Sequence, residues 1–320
     1  PALVISGWWD LMPTQTVAAY QELVADSDPS VRAQHKLLIG PWIHFAAGGV
    51  ANEGTLRPLS EEERQYVDDT RRIDSDSLAF FDQHLRGQAN EVGDWAPVRY
   101  FHVNEGWKTA DRWPPANSSL RQLYLDPAGN LVEDAPASSS LSFAYDPADP
   151  SPTLGGPTLA PYNCVNAANP LLCTLSPDPD KLLTHGPTDQ APVMERADQL
   201  SFLGPVLSEP LALLGSVALH AIVSTDAADM DLSLRLLDVD ETGQALLIGS
   251  GIARLSARAD ERSYAEVLPG DPTALTVGTV ADLAYTLPAG HRIGVILAGS
   301  NWPLFARYPA AGAVFMAEDT

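Results

Sequence analysis

The sequence predicts a piece of parallel α/β sheet, residues 1–115, followed by an all-β sandwich of the jelly-roll kind, residues 116–320. Three observations carry this. Apolar runs and a helical period alternate in the first hundred residues. Period-two runs separated by Pro- and Gly-rich turns dominate the rest. Almost no helical periodicity survives beyond about residue 116.

The elements follow in order. Residues 2–6, ALVIS, form a short continuous apolar run ending at Gly7, and residues 35–39, HKLLI, form a second ending at Gly40-Pro41. Between them, Val17, Ala18, Tyr20, Leu23 and Val24 recur at helical spacing over Thr14 to about Ala25. Strand, helix, strand in so short a span is a βαβ unit, whose strands run parallel and are covered on both faces. A long helix is expected from Ser60, where Ser60 and Glu63 have capping-box spacing, to a stop at Gly87. Its Leu78, Phe81 and Leu85 fall at three- and four-residue steps and are expected to pack on the sheet. Residues 97–103, PVRYFHV, read as a further strand of that layer.

In the second region Leu123 and Leu125 alternate with polar neighbours, and Asp126-Pro-Ala-Gly-Asn130 turns the chain back into Leu131. Leu232, Leu234 and Leu236 alternate with Ser233 and Arg235, and Ile293, Val295 and Leu297 repeat the pattern. These are sandwich strands with one face inward.

Composition narrows the partners. Against 19 Lys plus Arg stand 41 Asp plus Glu, a formal charge of −22. Nucleic acid and anionic membranes are therefore poor partners, since a phosphate binder needs a basic face. The acidity itself serves solubility or an acid- or salt-adapted setting. No apolar run approaches the roughly 20 residues that span a bilayer, and no leader-like series opens the chain. The two cysteines, Cys164 and Cys173, suit either a local disulfide worth ~2–3 kcal/mol or two free thiols. The disulfide would place the protein in a periplasmic or extracellular compartment. No metal site is expected, because no His pair stands at zinc spacing near them.

The chemistry is expected in the first region. Asp10, in GWWD, follows the first strand, and His44, in GPWIH, follows the second. Adjacent parallel strands deliver their following loops to one edge of an open sheet, where ligands bind. A carboxylate beside an imidazole fixes its tautomer and leaves the other ring nitrogen free to deprotonate a hydroxyl. Taken alone, Asp10 also fits a turn or cap residue, and His44 a packing residue. The remaining histidines (35, 84, 102, 185, 220 and 291) show no matching partner pattern and read as surface or packing residues. Acid before histidine, late in the chain, is the order of the α/β-hydrolases, in which the serine comes first.

GWWD, GPWIH, FFDQHLRG (80–87) and VRYFHV with EGWKTADRWPP (105–115) resemble the CocE/NonD family. That family comprises cocaine esterase, α-amino-acid ester hydrolases and related Xaa-Pro dipeptidyl peptidases. YDPADPSPTLGG (145–156), GPTDQ (186–190) and LPAGHRI with GSNWP (287–303) resemble its C-terminal jelly roll, in the same order. The resemblance implies an α/β-hydrolase remnant before the sandwich, with Asp10 and His44 as triad acid and base and Leu11 and Met12 lining the acyl pocket. It implies hydrolysis of small-molecule esters or amides through an acyl-serine intermediate, with no cofactor. The sequence departs from the pattern in one respect: no Gly-x-Ser-x-Gly occurs, and Ser250 in IGSGI and Ser300 in AGSNW do not fit. The nucleophile is therefore expected upstream or on another chain, and residues 1–115 are expected to need that hydrolase portion for stability. A second copy of the chain is a further candidate partner. The competing expectation is a non-catalytic module whose jelly roll recognises a ligand.

Overall fold

The computed structural model describes residues 1–43, 70–137, 139–158, 162–163, 174–175, 186–259 and 263–317. The chain is mostly β, arranged as a four-stranded mixed sheet with its helices and a larger set of antiparallel strands.

In the first sheet the order is β1 (Leu3–Trp9), β2 (Lys36–Ile43), β3 (Val98–His102) and β4 (Gly106–Ala110). β1, β2 and β3 are parallel, and β4 returns antiparallel to β3. Helix α1 (Pro13–Asp26) carries the chain from β1 towards β2 and buries Val17 and Tyr20, with a short α2 (Pro29–Arg32) capped by Asp28. Both strands run two or three residues past the glycines expected to end them. The cause is local: a Cβ at Gly7 would lie 2.2 Å from the Trp42 carbonyl oxygen, and one at Gly40 would lie 2.3 Å from the Trp42 ring. These glycines are close-approach positions inside the strands that let Trp42 fold back over β2.

Helix α3 is described over Thr70–Arg86 and ends at Gly87, whose φ of +67° is the left-handed stop expected there. Its proposed start at Ser60 lies outside the described residues. Its inward face is a correction to the sequence reading: Leu78, Phe81 and Leu85 are 57%, 53% and 78% exposed. The inward face instead carries the buried Asp76 and Phe80 and the half-buried His84, four residues apart. Asp76 pairs with Arg99 of β3 at 2.5 Å, and the Phe80 and His84 rings meet tilted at 58° with centroids 4.4 Å apart. An ion pair to β3 thus sets the helix rotation, and the apolar stripe is left on the outside.

The remaining strands are β5 (Tyr124–Asp126), β6 (Asn130–Val132), β7 (Ser140–Tyr145), a ribbon of β8 (Tyr162–Asn163) and β9 (Thr174–Leu175), β10 (Gln199–Leu203), β11 (Leu211–Gly215), β12 (Ala218–Thr225), β13 (Asp231–Val239), β14 (Ala245–Arg254), β15 (Thr273–Gly278), β16 (Leu283–Leu287), β17 (Arg292–Ala298) and β18 (Gly312–Ala317). A short helix α4 (Ala191–Met194) precedes β10. Six strands pair in the order β14-β13-β17-β10-β6-β5, four in the order β15-β12-β18-β7, and β11 pairs with β16. Leu232, Leu234 and Leu236 of β13 join Val295, Leu297, Leu275 and Val277 in a core that also takes in Trp8, Tyr100 and Trp113 of the first region. The opposite face of β13 is covered too: Leu237 and Val239 pack with Val193, Leu247 and Ile296 in a second cluster. Arg235, read from its alternation as an outward residue, is therefore 1% exposed.

Its guanidinium donates to the Pro152 carbonyl at 2.8 Å, to Ser151 Oγ at 3.1 Å, to Gln190 Oε1 at 3.2 Å and to Asn301 Oδ1 at 3.3 Å. The segments DPADPSPTLGG, GPTDQ and GSNWP, far apart in sequence, thus meet on one buried cation. Burial, with Arg196 adding to it and Asp198 partly offsetting it, pushes the guanidinium down to about 10.

The two regions are joined by backbone. Val103 N–H donates to Ala284 at 2.8 Å, and Thr286 N–H donates to Val103 at 3.1 Å. Asn104, held at φ +72°, donates its amide to the Thr286 carbonyl at 2.8 Å.

Candidate active site

Asp10 sits where β1 ends. Gly7 pairs with Gly40, the register then shifts by one residue, and Trp9 pairs with Ile43. The extra residue lies on β2, as Trp42 bulges inward against the two glycines. Trp8 and Trp9 are both buried, and the Trp8 indole donates to the Phe101 carbonyl at 2.7 Å, fixing the approach to Asp10. The Asp10 N–H turns back to the Gly7 carbonyl at 3.1 Å, and the Asp10 carboxylate accepts the Leu11 N–H at 2.5 Å. Pro13 then opens α1 at its first turn, where its missing N–H costs nothing.

Of the sequence-predicted residues, Asp10 lies at this strand end, Leu11 beside it is half-buried, and Met12 is 55% exposed at the helix entry. His44 follows Ile43 in sequence and lies outside the described residues, as do Cys164 and Cys173.

The loop is fastened to the sandwich. Thr14 Oγ1 donates to the Val280 carbonyl at 2.5 Å, and Gln21 donates to the Trp113 carbonyl at 2.9 Å. Trp113 stacks on Trp8 with centroids 5.3 Å apart, and its indole N–H donates to Asp282 Oδ2 at 2.6 Å. Burial raises the Asp282 carboxyl above the ordinary carboxylate range, partly offset by that indole.

One carboxylate–imidazole pair that the structure does describe was not legible in the sequence. Asp238 Oδ1 lies 2.8 Å from His291 Nδ1, and Tyr285 donates to Oδ2 at 2.8 Å. Burial pushes the Asp238 carboxyl up, against the pull of both partners. Among the described residues no hydroxyl or thiol is bonded to the His291 ring, so the pair locks β13, β16 and the 288–291 turn rather than activating a nucleophile. His102 also has partners: its Nε2 lies 2.9 Å from Thr286 Oγ1, which in turn donates to Glu105. Neither pair has a local sequence signal, because the partners of His291 and Thr286 are 53 and 184 positions away.

A cavity of about 430 Å³ lies elsewhere, at the sandwich edge between Leu131, Leu203, Pro205 and Arg292. None of its lining residues belongs to the Asp10 loop.

Comparison with known proteins places this geometry. The family model described as the X-Pro dipeptidyl-peptidase C-terminal non-catalytic domain matches residues 90–313. Cocaine esterase of Rhodococcus sp. (strain MB1 Bresler) is 29% identical over 99% of this chain and 52% of its own length. An aminopeptidase from a marine sediment archaeon of the Thaumarchaeota superimposes with a TM-score of 0.77 at 22% identity, over 99% of this chain and 52% of its own. A selenomethionine-labelled α-amino acid ester hydrolase gives 0.76 at 22% identity, over 99% and 53%. The chain thus spans about half the length of the relatives it matches.

Proposed function

Because the chain belongs to the X-Pro dipeptidyl-peptidase C-terminal non-catalytic domain family, we propose that its residues 90–313 form the accessory part of a serine hydrolase and that residues 1–89 supply that enzyme's acid and base. The enzyme cleaves ester or amide bonds through an acyl-serine intermediate. Asp10 is the acid, His44 the base, and the nucleophilic serine belongs to a hydrolase portion outside this sequence. The span described as non-catalytic begins at Asn90, after both residues.

One observation carries the reading. Trp9 and Ile43, the residues immediately before Asp10 and His44, are register partners in adjacent parallel strands. Such strands lie about 4.8 Å apart, a spacing that supports the pairing of Asp10 with His44. The Asp10 carboxylate then accepts the imidazole Nδ1–H, and Nε2 takes the serine hydroxyl proton as Oγ attacks the carbonyl carbon. The same proton passes to the leaving alcohol or amine as the acyl-serine forms. Water repeats the sequence, regenerating the serine and releasing the acid. Leu11 and Met12 border the acyl group.

Two surfaces suit the proposed hydrolase portion. Among the described strands β1 is the edge of its sheet, paired with β2, and a parallel sheet is normally covered and continued. The Leu78, Phe81 and Leu85 stripe offers an apolar face of the kind that marks an interface.

The test is a fluorophosphonate probe on the native protein, followed by intact mass of every labelled chain. Labelling outside residues 1–320 that is lost with His44→Ala supports the proposal. Absence of labelling in the native protein overturns it in favour of a ligand-recognising module, for which the 430 Å³ cavity is the candidate.

A further inference from the structure

The loop that carries Asp10 is gripped on both sides by a single turn of the sandwich. That turn, Thr279–Asp282, links β15 to β16. On the upstream side, Asp282 accepts the Trp113 indole N–H at 2.6 Å, and the Trp113 ring lies against Trp8, two residues before Asp10. On the downstream side, the Val280 carbonyl accepts the Thr14 hydroxyl, four residues after Asp10. The turn is itself fixed, because Thr279 N–H donates to Val217 at 2.9 Å and Val280 N–H donates to Ser250 at 2.8 Å. The strands behind it touch backbone to backbone, and a Cβ on Gly251 would fall 1.9 Å from the Gly278 carbonyl oxygen.

Asp282 is 9% exposed and has no cation bonded to it among the described residues, so its described partner is the indole. A lone buried carboxylate is a costly way to hold a tryptophan. The arrangement makes sense where the ring it orients backs a residue whose placement matters. We propose that Asp282 is a positioning residue for Asp10: through Trp113 and Trp8, with Val280 gripping Thr14, the sandwich fixes the loop that presents the Asp10 carboxylate. This rests on the assignment of Asp10 as the triad acid.

Asp282→Leu removes the acceptor while keeping the branching at Cγ, and Asp282→Asn keeps an acceptor oxygen for the indole. Thr14→Val cuts the other grip alone. In the native protein, amide exchange of residues 11–16 is expected to quicken about tenfold in Asp282→Leu and to return towards the parent rate in Asp282→Asn. With p-nitrophenyl butyrate, kcat is expected to fall about tenfold at unchanged KM. The acidic limb of kcat/KM should move to lower pH, because a displaced carboxylate stabilises the imidazolium less. Thr14→Val should reproduce the exchange change. Unchanged exchange and kinetics in Asp282→Leu, or a defect that Asp282→Asn fails to relieve, overturns the proposal. If the parent protein hydrolyses no ester, the triad assignment fails, while the exchange comparison still decides whether Asp282 braces the loop.

Discussion

Replacing Gly7 by alanine would build a methyl carbon 2.2 Å from the Trp42 carbonyl oxygen and 2.7 Å from its carbonyl carbon. Real contacts of that kind stay beyond 3.0 Å, and the obstacle is backbone, which no rotamer change can clear. β1 and the Trp42 bulge must therefore part at the point where the register passes from Gly7–Gly40 to Trp9–Ile43. Overpacking of this kind costs about 3 kcal/mol. The lower unfolded-state entropy of alanine returns up to ~1 kcal/mol. The net loss is about 2 kcal/mol, a melting temperature about 4–8 °C lower by calorimetry. Because the displaced strands end at Trp9 and Ile43, immediately before Asp10 and His44 in sequence, hydrolysis by the native protein should fall about a hundredfold, as expected of a misplacement near 1 Å. Gly93→Ala is the control: its Cβ meets the Gln83 side chain at an ordinary 3.7 Å, and its effect should stay within ~0.5 kcal/mol. A Gly7→Ala protein that melts within 1 °C of the parent would refute the bulge packing and the strand-end geometry built on it.

Two further outcomes follow from the buried polar groups. Burial holds His35, His84 and His102 below the ordinary histidine range, so the unfolded chain takes up protons first as pH falls below about 6.5. Stability should be level above that pH and decline from there down through the folded-state values; thermal melts between pH 7.5 and 5 should show a gentler decline in His102→Gln. Arg235→Met takes the guanidinium donor from Ser151, Pro152, Gln190 and Asn301, of which Asn301 keeps the Thr153 hydroxyl, and should lower stability by about 3 kcal/mol, read as the denaturant midpoint. Arg235→Lys should recover little of it, since one ammonium cannot serve acceptors spread around a planar fork.

How far the sequence could be read depended on whether the partners were local. The parallel strands, α1, the stop at Gly87 and the Leu123–Leu131 hairpin follow from apolar runs and turn residues, and each stands close to its expected place. Gly7 and Gly40 misled because a glycine that ends a strand and one that admits a tryptophan look alike in sequence. The helix stripe at Leu78, Phe81 and Leu85 misled for a different reason. Periodicity locates an apolar face but does not say which body covers it, and here the Asp76–Arg99 pair turns that face outward. Arg235 alternates like a surface residue, yet segments 45 to 84 positions distant cover it. The place of Asp10 directly after β1 was legible from the apolar run before it. The Trp113–Asp282 contact behind it joins residues 169 apart and leaves no periodic trace.

The most direct test of the account is the imidazole of His44 itself, observed by ¹H–¹⁵N NMR in the native protein. A hydrogen bond to Asp10 predicts a strongly deshielded Nδ1–H proton that persists at neutral pH and disappears in Asp10→Asn. A His44 ring that titrates as a free, solvated imidazole, identically in the parent and in Asp10→Asn, would contradict the pairing on which the proposed chemistry stands.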